Sequence, residues 1–166
     1  MTALERIAVG VIVERIKAGS PWADDHWQPA AVLPGQPDMP LWALLSDETE
    51  RKTFYAGPAE IELFRTETGN YRDNLAADSS LWVVLRASGG EPPYRVFAVT
   101  ADPAEGEAFT EAGNDIVDTV PMPALVRERV AAFIATHHEE QTFSKRERKR
   151  ADPQALARRS SVLDDE

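Results

Sequence analysis

The chain contains no cysteine, and that one absence removes disulfide frameworks, thiolate zinc sites, iron–sulfur ligation and cysteine nucleophiles together. Histidine is scarce. The three residues are His26, His137 and His138, and neighbours on a helix point roughly 100° apart, so the last two do not face one metal. Long apolar runs are missing as well. The run Ile7–Val13 is closed by Glu14-Arg15, far short of the roughly 20 apolar residues that a membrane helix needs. No signal peptide is read ahead of it, so a cytoplasmic protein is expected. No Gly-x-Ser-x-Gly elbow, phosphate-cradling P-loop or Gly-x-Gly-x-x-Gly turn occurs. Accordingly no catalytic residue, metal or cofactor is expected.

What is present is an ordinary globular composition. Of 166 residues, 43% are apolar and 28% charged, enough to bury a core within one domain. The formal charge of −10 opposes non-specific binding of nucleic acid or an anionic membrane by the body of the protein. That charge is unevenly spread. Ser144–Arg159 holds seven basic residues (Lys145, Arg146, Arg148, Lys149, Arg150, Arg158, Arg159) against two acids (Glu147, Asp152), a local +5 that leaves −15 for the remainder.

Patterning points to an α+β fold, mostly antiparallel sheet of about six to seven strands with two or three helices, the longest near the C-terminus. Ile7–Val13 is a continuous β-branched run, expected as a strand buried on both faces. His26–Leu33 is a second strand, in which Pro29 cannot donate to a ladder and marks an edge or a bulge. Leu41–Ser46 and Lys52–Gly57 flank a polar connection and suit a hairpin, and Ala59–Phe64 alternates as a strand with one wet face. Between Glu67 and Leu75 the pattern weakens to one short helix carrying Tyr71 and Leu75. Leu81–Arg86 and Tyr94–Thr100 form the clearest hairpin, with Gly89-Gly90 in the turn. Asp102-Pro103-Ala104-Glu105 is a helix start with a capping carboxylate and proline at the first position, and Gly113 is its stop. After a short extended segment at Ile116–Val120, Val126, Val130, Phe133, Ile134 and His137 form the apolar stripe of a helix packed on a sheet. His138 is expected to be solvated. Residues 1–141 are thus expected to be one globular domain, and residues 142–166 a mobile charged tail dispensable for folding.

Few residues suggest chemistry. Glu60 and Glu62 share one side of a strand, as an acid pair could, but alternation alone accounts for them. Glu105 and Glu107 belong in a first helical turn, where carboxylates suit the helix dipole. Trp27, Trp42 and Trp82 lie beside Leu and Val in expected strands and suit core packing, whereas Trp22, in a Ser-Pro-Trp loop, is a candidate for surface contact. The run Phe143-Ser144-Lys145-Arg146-Glu147-Arg148-Lys149-Arg150 is either a solubilising tail or a docking segment for an acidic partner, with Phe143 as apolar anchor.

Ser20-Pro21-Trp22, Trp27-Gln28-Pro29, Phe54-Tyr55-Ala56-Gly57, Glu62-Leu63-Phe64-Arg65, Tyr71-Arg72-Asp73-Asn74-Leu75, Leu81-Trp82-Val83-Val84-Leu85-Arg86, Val99-Thr100-Ala101-Asp102-Pro103 and Val120-Pro121-Met122-Pro123 together carry a resemblance. The sequence resembles an uncharacterised bacterial family, known mainly from proteobacteria, whose genes tend to lie near those of molybdenum-dependent formate dehydrogenases. The resemblance implies a process and assigns no residue a role. What it implies is a non-enzymatic accessory protein that binds a partner protein, a formate dehydrogenase subunit or maturation factor. Trp22, Phe143, Lys145, Arg146, Arg148, Lys149 and Arg150 are the contact candidates. The alternative is a small-molecule or nucleotide-binding domain, or an enzyme, with a tryptophan-lined pocket beside the acidic strand face.

Overall fold

The computed structural model describes residues 2–138. Its strands are β1 (Glu5–Ile16), β2 (His26–Pro34), β3 (Ala43–Asp47), β4 (Arg51–Leu63), β5 (Ser80–Ala87), β6 (Tyr94–Thr100) and β7 (Ile116–Pro121). All pair antiparallel, but they divide between two sheets, ordered β2-β1-β4-β3 and β6-β5-β7. Along two seams, β2 beside β7 and β4 beside β6, Cα atoms of the two sheets come within 8 Å. The sheets therefore enclose one core like a flattened barrel.

β1 is central to the first sheet because it is apolar along its whole inward row: Ile7, Val9, Val11 and Val13 are each at most 3% exposed. They face Leu81, Val83 and Leu85 from the second sheet, Ile61 and Leu63 from β4, and Val32, Val99 and Val120 in a single cluster. Pro29 of β2 sits on an edge strand at a register shift, where Ile12 opposes Ala31 and Val13 opposes Pro29. The missing N–H is thus accommodated twice over. The segments on either side of Gly57-Pro58 form one strand, β4, rather than two. Gly57 takes φ 144° beside a second register shift. β3 pairs only as far as Tyr55, so Pro58 borders an open edge and costs no ladder bond there.

Two helices, the first and third in chain order, close the end of the barrel where β1 begins, and the second lies beside them. α1 (Thr68–Ala76) follows a 3-10 turn at Arg65–Glu67, α2 (Pro103–Ala112) crosses the outer face of the second sheet, and α3 covers residues 124–138. α2 starts where Asp102 accepts a hydrogen bond from the Ala104 N–H at 2.9 Å, and it ends at Gly113, whose φ of 109° suits glycine. Gly106 lets α2 lie flat on Trp82, since a Cβ there would stand 2.2 Å from the indole. α3 buries Val126, Val130 and Phe133 in the core, and Arg129 ties it to the Glu5 carboxylate at 2.6 Å. His137 rests on the Phe133 ring at 4.4 Å. His138, expected in solvent, instead lies half-buried with Nδ1 3.1 Å from Thr68 Oγ1.

The helix end is held by polar groups that bridge its elements, although the buried His137 Nδ1 has no hydrogen-bond partner among the described residues. Asn74 donates to the carbonyls of Ser80 and Ala101 at 2.8 and 2.9 Å and accepts from the Ser80 N–H at 3.0 Å. One amide thus stitches α1 to β5 and to the exit of β6. The Tyr71 hydroxyl accepts from the Phe64 N–H at 2.9 Å, and burial raises its pKa above the ordinary tyrosine value of 10.0. Asn70 donates to Asp102, linking α1 to the cap of α2.

Candidate functional site

Among the described residues the opposite end of the barrel carries no helix and is built from three connections. These are the β1–β2 loop (residues 17–25), the β3–β4 turn (residues 48–50) and the β5–β6 loop (residues 88–93). Register brings the first two together, since Ile16 opposes both His26 and Arg51, and the Lys17 N–H donates to the Glu50 carbonyl at 2.8 Å. Asp25 organises the long loop by accepting from the Ala18 N–H at 3.0 Å while facing Arg15 at 3.5 Å. Trp22 projects from this organised loop with 92% of its surface exposed.

At this mouth the inward row of β1 changes chemistry, because Val9, Val11 and Val13 are continued by Arg15. The core below is capped by aromatic rings. Trp27 meets Trp42 edge-on at 5.8 Å and stacks on Phe54 at 5.9 Å, and Tyr94 of β6 reaches it from the other sheet at 6.3 Å. The Arg15 guanidinium lies 5.5 Å from the Trp27 ring centre and 5.8 Å from that of Phe54, which holds the cation in a fixed plane. Two open cavities flank the Arg15–Asp25 pair. One, of about 280 Å³, is bordered by Arg15, Lys17, Arg51 and Lys52 with Asp25 and Glu50. The other, of about 340 Å³, has Trp27 and Tyr94 as walls with Asp24, Asp25 and Glu91. Glu14, buried on the outer face of β1, is shared by Gln28 and Arg51.

The adjoining edge strand is apolar and open. Trp42 adopts φ 64°, a left-handed backbone that non-glycine residues rarely hold, and its ring turns into the aromatic cap. Leu41, Leu44 and Leu45 remain 63%, 50% and 42% exposed. Leu45 is the extra residue of a bulge, because Leu44 opposes Phe54 while Ser46 opposes Thr53. Natural edge strands are usually guarded by charge or proline against pairing with other chains. On β3 charge enters only at the last residue, Asp47.

The tryptophans are thus divided among three environments. Trp22 is free as expected, Trp27 and Trp42 cap the core, and Trp82 lies under α2, so no single tryptophan-lined pocket collects all four. Glu60 and Glu62 are exposed on β4, away from the mouth. Phe143, Lys145, Arg146, Arg148, Lys149 and Arg150 lie outside the described residues. The cation cluster was hidden in the sequence because Arg15-Ile16-Lys17 and Arg51-Lys52 are distant until the register of β1 and β4 joins them. Among the described residues no helix is long and apolar enough to cross a membrane, and no three His, Asp or Glu side chains gather as a metal site.

Fold and site together define an antiparallel α+β domain with a helix-closed end and an open, charged, aromatic-capped mouth. The chain belongs to the family described as "Protein of unknown function (DUF3305)", whose family model matches residues 8–148. No curated protein and no solved structure matches it.

Proposed function

We propose that this chain is a non-enzymatic accessory protein that binds a partner protein through edge strand β3 and the Trp22 loop. The observation that carries the reading is the pair of exposed leucines Leu44 and Leu45 on edge strand β3, with exposed Leu41 just before it and little charge to guard the edge. An extended segment of a partner adds to such an edge through main-chain hydrogen bonds, with alternate side chains giving specificity. Trp22 supplies a second apolar contact at the same end, and its ring combines large area with few rotatable bonds. The resemblance to a family encoded near molybdenum-dependent formate dehydrogenases supplies the partner class: a subunit of that enzyme or one of its maturation factors. The competing reading, a small-molecule or nucleotide binder, draws on the cavity walled by Trp27 and Tyr94.

The test is a binding titration of the purified full chain against subunits and maturation factors of molybdenum-dependent formate dehydrogenases. One of them should be retained, and Leu44→Ser with Leu45→Ser should weaken it at least tenfold without lowering the melting temperature. Replacing Lys145, Arg146, Arg148, Lys149 and Arg150 by Ser should also weaken retention, with raised salt mimicking the change, if the basic run takes part. Retention of none of these proteins by the unaltered chain overturns the reading.

A further inference from the structure

The 280 Å³ cavity at the mouth is bordered by four cations, Arg15, Lys17, Arg51 and Lys52, against two acids, Asp25 and Glu50. Within the lining positive charges exceed negative ones by two, with Glu14 and Asp47 facing Arg51 and Lys52 from outside it, on a chain whose net charge is −10. Folding alone does not call for the arrangement. Arg15 and Lys52 stand directly opposite each other in the β1–β4 register, and like charges in direct opposition destabilise a strand pair. The ion pairs nearby are long and leave donors unspent. Arg15 and Arg51 meet Asp25 and Glu14 through Nε at 3.5 and 3.6 Å, so neither holds its acid closely through a terminal amino group. Lys52 faces Asp47 at 3.6 Å, and among the described residues Lys17 has no carboxylate in ion-pair range. The stacking of Arg15 on Trp27 and Phe54 fixes one donor plane in advance, lowering the ordering cost of binding.

We propose that this cavity binds a small multivalent oxyanion, a diphosphate group being the class its size and charge fit. Guanidinium groups present paired N–H donors to phosphate oxygens, and ammonium groups add point charge. The mouth of a barrel-like fold is a common seat for a small ligand. The adjoining cavity, walled by Trp27 and Tyr94 and sharing Arg15 and Asp25, would take a nucleoside attached to that diphosphate. This inference stands apart from the partner reading, since it concerns the isolated chain and a different surface from the β3 leucines.

The experiment is a calorimetric titration of the full chain with inorganic pyrophosphate and, separately, with adenosine diphosphate, against sodium chloride of matched ionic strength. At least one probe should bind saturably at one equivalent, and Lys17→Glu should weaken it at least tenfold while leaving the melting temperature unchanged. Lys17 makes no ion pair among the described residues, so that variant is expected to fold, and Lys52→Gln serves as a second one. Tighter binding of adenosine diphosphate, with tryptophan fluorescence quenching, assigns the diphosphate to a nucleotide, and equal binding assigns it to a free oxyanion. The proposal is overturned if neither probe exceeds the chloride control, or if both variants bind as the unaltered chain does.

Discussion

The two ends of the barrel use polar residues in opposite ways. At the helix end they are spent on the fold. Asn74 saturates three backbone groups, Tyr71 caps one more, and Asp102 and Asn70 join two helices, all beneath a layer of buried Phe133, Val130 and Val126. At the mouth they border cavities and form ion pairs no shorter than 3.5 Å, on the end of the molecule that carries the exposed Trp22. One end is built for stability and the other is available for recognition, the usual division between a scaffold and the loops it carries.

The largest expected effect that tests this division is Phe133→Ala, which should cost about 3–5 kcal/mol in urea denaturation, because it opens a cavity under α3. A loss near zero would move α3 from the scaffold to the recognition surface. Next comes Asn74→Leu, expected to cost about 1–3 kcal/mol by stranding the Ser80 and Ala101 groups. An unchanged melting temperature there would mean that the amide stitch is dispensable. A pH series sharpens the contrast. With the Tyr71 pKa raised by burial above 10.0, the unfolded chain loses that proton first, so stability should fall above pH 10. The fall amounts to at most about 1.4 kcal/mol per pH unit. Tyr71→Phe should make the alkaline decline less steep. Smallest of all, Trp22→Ser should shift stability by no more than about 0.5 kcal/mol, yet reduce partner retention. A larger loss of stability would show that the Trp22 loop belongs to the scaffold.

The elements with strong local chemistry were legible from residues alone. Asp102-Pro103 and Gly113 bounded α2, Pro29 marked both an edge and a bulge, and the hairpins around Glu48 and Gly89 formed as their turns required. The apolar stripe ending in Phe133 and His137 placed α3. Helix α1 was faint for a physical reason: its buried face is Thr68, Tyr71 and Asn74, so polar residues occupy positions where periodicity looks for apolar ones. Gly57-Pro58 read as a break, yet β4 runs through it, because a strand bonded mainly on one side can carry proline. Division into two sheets was not legible, since alternation reports which face is wet and not which strand lies beside it. The mouth was legible only in pieces. Trp22 stood out by its loop, but the cations meet through register, which no local pattern encodes.

The pairing of β1 also sets a schedule for synthesis. Glu5 lies opposite Leu63, and Ile16 opposite Arg51, so the most apolar strand is translated first yet waits for a neighbour made much later. At roughly 5–20 residues per second, the wait is on the order of several seconds. During it Ile7–Val13 is the nascent chain's most adhesive segment. β2 can pair with it early through the His26–Pro34 register, leaving one flank of β1 open until β4 emerges. Slowing translation between Pro34 and Arg51 should therefore raise the share of chains captured by ribosome-associated chaperones.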